Sequence, residues 1–182
     1  ECIVDKINNT VALDYPNEQL QVVIVTDGST DGTNDIVSNY PLITLLHQPN
    51  RESKSAALNR AIALSDSEII VFSDANAMLN QEALRELTKH FQDTAIGGVA
   101  GEKRILSEDR NGAVIVEGFY WRYESSVRQW DSDWYAVTGA VGELYAMRRS
   151  LIDPIPADIV CDDLYLTMRM ISSGARMCYE AN

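Results

Sequence analysis

Residues 22–33 read VVIVTDGSTDGT, a β-branched run that passes directly into an acidic, glycine-containing segment. The apolar part predicts a strand over residues 20–25, the next residues predict a turn over 27–33, and a short helix is expected over 34–39. A loop between a strand and a helix offers oriented oxygen atoms and, at its glycines, close approach of the backbone to a polar ligand. The stretch therefore predicts an α/β fold with a ligand-binding loop at the end of a strand.

The segments around this loop continue the alternation of helices and strands. Helical spacing of apolar residues predicts a helix near residues 3–11 and further helices at 53–64 and 80–91. Strands are expected at 43–47 and 69–73, and the second is apolar at consecutive positions, as in a strand that is covered on both faces. This order predicts a layered α/β sheet whose functional residues follow the carboxyl ends of the strands.

Beyond residue 96 the pattern changes, without a linker or a repeat. The predicted elements are a strand at 99–105, a polar loop, an aromatic helix around 119–130, short strands at 135–140 and 143–147, and a helix at 162–172 that Gly174 ends. We therefore expect residues 1–182 to form one domain with two differently built halves, 1–96 and 97–182.

The composition restricts the partners and the compartment. The 27 acidic and 15 basic side chains give a net charge of −12, which disfavours binding to nucleic acid or anionic membranes. The three cysteines suggest neither a disulfide framework nor a zinc site, and reduced thiols fit the cytoplasm. The apolar runs are far shorter than the roughly 18–20 residues that span a bilayer. We expect a cytoplasmic location, and because both ends of the chain look like cuts, we expect a longer parent protein.

The acidic loop has competing interpretations. Counted as an EF-hand loop that starts at Asp27, it has Ser38 in place of the bidentate glutamate, and a strand instead of a helix precedes it. Counted as a phosphatase motif of the haloacid-dehalogenase type, it would need an aspartate where Ser29 stands. A turn capped by Asp and Ser side chains, without any ligand, is a further alternative.

A second candidate site is the pair Asp74 and Asn76, which follows the strand at 69–73. Two oxygen-bearing side chains at this spacing can face one hard divalent ion that also binds a diphosphate. The alternative is an ordinary turn or helix cap.

A third candidate is the pair Asp162 and Asp163 at the start of a predicted helix. The helix dipole stabilises carboxylates there, which is a purely structural explanation. A carboxylate that faces a cleft can instead accept a proton from an attacking hydroxyl. A small-residue loop from Gly139 to Glu143 precedes this pair and is followed by Tyr145 and by two arginines suited to a sugar or a phosphate.

Taken in order, five motifs resemble glycosyltransferase family 2, which has the GT-A fold. They are the loop at 27–33, the segment Asn50-Arg51 with residues 54–59, the pair Asp74 and Asn76, the block from Gly139 to Arg149, and Asp162-Asp163-Leu164 with Arg169. The resemblance covers nearly the whole chain and is nearest to the branch of polysaccharide synthases. It implies an α/β fold, a Rossmann-like three-layer α/β/α sandwich with a mixed, mainly parallel sheet that lacks the family's first strand.

The resemblance also implies roles for individual residues. The residues implied to bind the nucleotide-sugar donor are Asp27, Ser29, Arg51, Lys54, Asp74 and Arg149. Those implied to bind a divalent cation, Mn²⁺ or Mg²⁺, are Asp74 and Asn76. The catalytic residues implied are Asp163 as the base and Asp162 beside it. The sequence departs from the family pattern at Ser53, where a glycine is usual, at Asn76, where a second aspartate is usual, and in having no Gln-x-x-Arg-Trp motif.

The reaction implied is an inverting, metal-assisted transfer from a nucleotide sugar, with UDP as the expected nucleotide, to a carbohydrate or lipid-linked acceptor. Residues 1–96 would then bind the nucleotide, and residues 97–182 would bind the acceptor and contain the base. The parent protein would work in the cytoplasm or on the cytoplasmic face of a membrane, in polysaccharide or glycoconjugate synthesis. Association into homo-oligomers through exposed sheet edges is also expected. The alternatives are a nucleotide-sugar-binding module without activity and, more distantly, a calcium-binding module.

Overall fold

The structure, a computed structural model, describes residues 2–104, 112–140 and 142–181, without the side chains of residues 112–120 and 122. Residue 105 of the strand predicted at 99–105, the start of the polar loop after it, and the side chains of Phe119 and Tyr120 lie outside this description, whereas residues 102–104 are described and are not part of a strand. The helices are α1 (Ile3–Val11), α2 (Thr33–Ser38), α3 (Lys54–Leu64), α4 (Ala83–Lys89), α5 (Gly112–Trp134) and α6 (Asp162–Ser172). The strands are β1 (Val22–Asp27), β2 (Ile43–Gln48), β3 (Ile69–Ser73), β4 (Ile96–Gly101), β5 (Leu144–Arg148) and β6 (Arg176–Glu180).

The strands of the described residues form two hydrogen-bonded sheets. β1 and β2 pair in parallel, in a register that runs from Val22 opposite Ile43 to Asp27 opposite Gln48. The second sheet has the order β3-β5-β4-β6, in which β5 is antiparallel to both of its neighbours and β6 is parallel to β4. Parallel and antiparallel pairings therefore mix, as predicted, and no described strand joins β1 to β3.

Helices cover both faces of the larger sheet. Side chains of β5 alternate between the faces, since Tyr145 and Met147 pack with Leu166 of α6, whereas Ala146 packs with Leu87 of α4. All of these side chains are buried. This arrangement is the predicted three-layer α/β/α sandwich.

The first helix packs near the smaller sheet. Ile3 and Ile7, one turn apart on α1, form a buried cluster with Val37 of α2 and Ile43 of β2. Of the apolar residues whose spacing predicts the helix, Ile3 and Ile7 are therefore buried, whereas Val4 and Val11 are exposed.

Three elements differ from the sequence-based expectations, and one of them is α5, which begins at Gly112 instead of near residue 119. Residues 135–140 do not form a strand: Val137 donates one backbone hydrogen bond to Met177, and side chains of Arg128 and Thr167 bind the backbone of Gly139 and the next residue. β4 begins at Ile96, earlier than predicted, because glycines allow close packing there. A Cβ at Gly98 would lie 2.5 Å from Sδ of Met177.

The pairing of β3 with β5 brings two of the sequence motifs together at one edge of the larger sheet. Ser73, the last residue of β3, pairs with Leu144, the first residue of β5. The N–H of Asp74 then donates to the carbonyl of Glu143 at 3.3 Å. The loop after β3 therefore lies beside the small-residue loop before β5.

Candidate active site

Lys54 joins the two acidic motifs. Its Nζ lies 3.4 Å from Oδ1 of Asp74, which follows β3, and 3.3 Å from Oδ1 of Asp162, which begins α6. The side chain of Asp162 is only 5% exposed, whereas that of Asp74 is 38% exposed. Burial opposes the charge of Lys54, but its contacts with Asp162 and Asp74 outweigh burial and raise the pKa of Lys54. Lys54 therefore stays protonated and positively charged between two carboxylates.

Ser53, the departure from the family pattern, has a structural role in this arrangement. Its backbone is extended and its hydroxyl accepts a hydrogen bond from the N–H of Ala56 at 3.1 Å, which caps α3. The cap fixes the start of α3, and Lys54 is the first residue of that helix.

Asp163 lies against the small-residue loop. Its Oδ1 accepts from the N–H of Leu164 at 2.8 Å, and a Cβ built on Gly142 would lie 3.0 Å from its Oδ2. Thr167, one turn later on α6, accepts from the N–H of Ala140 at 3.2 Å and donates to the carbonyl of Asp163 at 2.8 Å. α6 therefore positions both the loop and the predicted base.

Tyr145 lies behind the acidic residues and was given no role by the sequence. Its ring stacks on Phe72 with centroids 4.6 Å apart. Its hydroxyl is buried and has no hydrogen-bond partner within the described part of the chain. Burial, followed by the charges of Asp162, Asp163 and Asp74, raises the pKa of Tyr145. All three carboxylates are therefore close enough to Tyr145 for their negative charges to disfavour ionisation of its buried hydroxyl.

Asp27 ends β1 and is held by the next segment of the chain. Its carboxylate accepts from the N–H of Glu52 at 2.8 Å and from Nη2 of Arg60 at 2.9 Å. The hydrogen bond from Arg60 is the main cause that lowers the pKa of Asp27. Arg60, on α3, also contacts Glu52, and the sequence offered no motif that would single it out. Asp27 therefore stays ionised with its side chain in a fixed direction.

The glycine loop brings Arg51 and Ser29 close to Asp27. Gly28 has φ +74°, its N–H donates to the carbonyl of Gln48 at 2.8 Å, and a Cβ at this position would lie 2.8 Å from Cβ of Arg51. Ser29 is half-buried and Arg51 is exposed. The chain thus places a carboxylate, a hydroxyl and a guanidinium on adjoining loops.

The calcium interpretation finds no support in this loop. Asp31 instead accepts from both the N–H and the hydroxyl of Thr33, in a local turn that needs no ligand. Among the residues that the structure describes, no group of three or more His, Cys, Asp or Glu side chains is arranged to hold a metal ion.

Asp74 and Asn76 fit a divalent cation that is shared with a substrate. Both lie on a turn that is closed by a hydrogen bond from the N–H of Ala77 to the carbonyl of Asp74 at 3.1 Å. Asn76 is exposed and Asp74 already faces the ammonium of Lys54. Hard oxygen donors of this number suit Mg²⁺ or Mn²⁺, which usually keep other positions for water and substrate phosphates.

Arg149 is not brought to these residues. β5 runs antiparallel to β3, so its last residue, Arg148, pairs with Ile69 at the end of β3 opposite to Asp74. Arg149 follows Arg148 and therefore lies at the far edge of the sheet. Arg148 itself donates to the carbonyls of Phe91 and Ile96, at 2.7 and 2.9 Å, and fixes the connection before β4.

Comparison with known proteins identifies the family. The family model described as Glycosyl transferase family 2 matches residues 2–155. A β-monoglucosyldiacylglycerol synthase of Nostoc sp. (strain PCC 7120) is 29% identical, over 93% of this chain and 38% of that protein. A poly-β-1,6-N-acetyl-D-glucosamine synthase of Staphylococcus aureus (strain COL) is 25% identical, over 99% of this chain and 45% of that protein. The chain thus spans less than half the length of these curated relatives.

Solved structures show the same fold. A mannosyltransferase from Pyrobaculum calidifontis, in complex with GDP-Man and Mn²⁺, is 28% identical with a TM-score of 0.84, covering 100% of this chain and 51% of that one. TarS of S. aureus, in complex with UDP-GlcNAc, has a TM-score of 0.70 at 16% identity, covering 99% of this chain and 52% of that one, and supports the fold alone. None of the described helices is long and apolar enough to cross a membrane. The match over residues 2–155 and the GT-A fold agree, and the chain belongs to glycosyltransferase family 2.

Proposed function

We propose that the protein containing this chain transfers a sugar from a nucleotide-sugar donor to an acceptor hydroxyl, with inversion at the anomeric carbon. The observation that supports this most is the contact of Lys54 with both Asp74 and Asp162, beside Asp163. One positive charge and three carboxylates then lie at the edge of the sheet to which the nucleotide loop of an α/β fold also leads.

The donor half of the site is proposed to extend from β1 to β3. Asp27 and Ser29 would bind the nucleoside, and Arg51 and Lys54 would neutralise phosphate oxygens. Asp74 and Asn76 would hold the divalent cation. When bound, Mn²⁺ or Mg²⁺ stabilises the negative charge of the leaving diphosphate. Arg149, which lies at the other edge of the sheet, is left out of this site.

The acceptor half of the site is proposed to centre on Asp163. Its carboxylate accepts the proton of the acceptor hydroxyl, the acceptor oxygen forms a bond to the anomeric carbon, and the bond to the diphosphate oxygen breaks with its electron pair. Attack and departure on opposite faces of the sugar invert the configuration. Asp162, which is buried and paired with Lys54, would orient Lys54 toward the diphosphate.

The substrates are proposed from the chemistry of relatives. Similar proteins include a synthase of a glycolipid and a synthase of a polysaccharide, and the similar mannosyltransferase is in complex with GDP-Man. The family resemblance favours UDP as the nucleotide, so we infer a UDP-sugar as the donor and a carbohydrate or lipid-linked acceptor. The transfer reaction would take place in the cytoplasm or on the cytoplasmic face of a membrane.

The experiment is a screen of UDP-sugars and GDP-sugars against the protein that contains this chain, with and without Mn²⁺ or Mg²⁺. Release of nucleoside diphosphate and transfer of radiolabelled sugar to acceptors are measured together, with Asp163→Asn as the inactive control. Metal-dependent transfer that Asp163→Asn abolishes supports the proposal. Tight binding of a nucleotide sugar without turnover would instead identify a binding module.

A further inference from the structure

Lys6 is a buried lysine on α1 whose ammonium group contacts the loop after β3. The residue is 8% exposed. Its Nζ donates to Oγ of Ser73 at 2.6 Å and to the carbonyl oxygen of Ala77 at 2.6 Å. Because a buried ammonium group without partners is unfavourable, these hydrogen bonds determine where the side chain lies. Lys6 therefore joins α1 to both ends of the segment from Ser73 to Ala77.

The charge of Lys6 also acts on Asp74. Burial lowers the pKa of the Lys6 ammonium, and the negative charge of Asp74 opposes this shift. The two groups thus interact, while the hydrogen bonds of Lys6 go to the residues that flank Asp74 and Asn76. The half-exposed Lys54 contacts the same carboxylate at 3.4 Å. Asp74 therefore interacts with two lysines, of which only Lys54 is exposed enough to reach a substrate.

Asn9 holds the next part of the same loop. Its Nδ2 donates to the carbonyl of Leu79 at 2.8 Å, and its Oδ1 accepts from the N–H of Leu79 at 2.8 Å. The spacing of three residues places Lys6 and Asn9 on neighbouring positions of one helix face. α1 therefore holds the loop before, within and after the turn that presents both proposed cation ligands.

We propose that Lys6 is a positioning residue for the cation site, because it fixes the directions in which Asp74 and Asn76 present their oxygen atoms. This inference rests on the proposed function, since it assigns α1 a part in the cation and diphosphate site of that reaction. A site with one carboxylate and one amide oxygen depends strongly on the residues that orient those ligands. Lys6 is too buried to contact the donor, so it acts through the loop that carries Asp74 and Asn76.

The test measures the affinity for Mn²⁺ in the presence of UDP, from the electron paramagnetic resonance signal of free Mn²⁺, in the protein that contains this chain. Lys6→Met keeps most of the buried stem and removes the charge, and the dissociation constant of Mn²⁺ should rise about 10-fold or more. Ser73→Ala removes one acceptor and should raise it about threefold. The double variant should bind no more weakly than Lys6→Met alone, since both changes act on one contact. Lys6→Arg should recover part of the affinity.

Arg85→Met is the matched control. Nε of Arg85 contacts Oδ2 of Asp14 at 2.9 Å and joins α4 to the segment after α1, without touching the loop. This variant should bind Mn²⁺ as the unchanged protein does. A folded Lys6→Met protein with unchanged Mn²⁺ affinity overturns the proposal. If Lys6→Met does not fold, an unchanged affinity of Ser73→Ala overturns it.

A second readout needs neither turnover nor metal. Hydrogen exchange of the Ala77 amide, which donates to the carbonyl of Asp74, should become about 10-fold faster in metal-free Lys6→Met and stay unchanged in Arg85→Met. An unchanged exchange rate in Lys6→Met would also overturn the proposal. If the unchanged protein binds neither Mn²⁺ nor any nucleotide sugar, the proposed function fails, and this exchange rate still decides whether Lys6 holds the loop.

Discussion

Nζ of Lys54 lies 3.3 Å from the buried carboxylate of Asp162, and each of these residues is the first of its helix. A carboxylate in the first turn of α6 is favoured by the helix dipole, but a lysine in the first turn of α3 is disfavoured. The first turn of α3 contains no acidic residue that would compensate. The contacts with Asp162 and Asp74 provide that compensation. Lys54 is therefore stabilised at this position by the carboxylates of the site and not by its own helix.

Replacement of Lys54 by methionine should affect both stability and donor binding. Asp162 would lose its partner while still buried, and the free energy of unfolding should fall by about 1–3 kcal/mol. The dissociation constant of UDP should rise, because a positive charge at the phosphates is lost. Denaturant unfolding and calorimetry measure the two effects. Adding Asp162→Asn to Lys54→Met should restore part of the stability and none of the UDP affinity. Restoration of both would contradict the role of Lys54 in binding the phosphates.

Asp163→Asn should remove the chemical step and preserve binding. A positioned base contributes about 100- to 10,000-fold to a rate, so kcat should fall by about that factor while the UDP dissociation constant stays the same. Steady-state kinetics and calorimetry give the two values. Asp162→Asn distinguishes the roles of the two neighbouring residues. Because Asp162 is buried, its replacement should lower the stability of the protein as well as its activity. Equal turnover by Asp163→Asn and the unchanged protein would remove Asp163 from the role of base.

Gly142→Ala should lower the rate through a small displacement of Asp163. The new Cβ would lie 3.0 Å from Oδ2 of Asp163, so the carboxylate would have to move. Because catalysis is sensitive to displacements of this size, kcat should fall about 10-fold. Gly139→Ala, in the same loop, is the control, since its Cβ would lie 3.7 Å from Cδ1 of Leu164, an ordinary van der Waals contact. Both variants should melt close to the unchanged protein, and equal kcat values for the two would refute the explanation.

The sequence predicts best the elements whose pattern is local. β3 and α6 occur at the predicted bounds, 69–73 and 162–172, because the first is an unbroken apolar run and the second combines an acidic start with an apolar face. The segment 135–140 is also partly apolar, but it makes a single backbone hydrogen bond to β6, from Val137 to Met177, and forms no strand. A pattern within one segment cannot reveal this.

Partners that are distant in the sequence were not predictable. The sequence singled out Asp27, Lys54, Asp74 and Asp162, yet which groups face them depends on how the elements pack. Arg60 looks like an ordinary helical surface residue, and Lys6 like the polar side of an amphipathic helix. The antiparallel direction of β5, which takes Arg149 away from Asp74, is likewise a property of the sheet and not of the motif.

The Asp27 and Arg60 pair predicts a pH dependence. Arg60 lowers the pKa of Asp27 below its ordinary value of 3.8, so its contribution to stability is complete above pH 3.8 and is lost as the pH falls through the lower folded value. Arg60→Met should move the titration of Asp27 upward, toward its ordinary value, and so reduce the part of the stability that is lost in acid. Carbon-13 NMR of the side-chain carboxyl groups measures this. Asp31, whose low pKa comes mainly from Thr33, should titrate unchanged, and a parallel shift of both would point to a general change in the fold.

Tyr145→Phe should stabilise the protein, whereas Tyr179→Phe should destabilise it. Both tyrosines are buried, but the hydroxyl of Tyr145 has no partner in the described residues, and that of Tyr179 donates to Oγ of Ser125 at 3.1 Å. Removing an unsatisfied buried hydroxyl should raise the free energy of unfolding by about 1 kcal/mol, and removing a satisfied one should lower it by about 0.5–1.5 kcal/mol. The stacking of Tyr145 on Phe72 is retained in phenylalanine, so packing does not obscure the comparison. Denaturant unfolding measures the free energy of unfolding of the two variants. An equal decrease of this free energy in both would mean that an ordered water or a carboxylate binds the Tyr145 hydroxyl in solution.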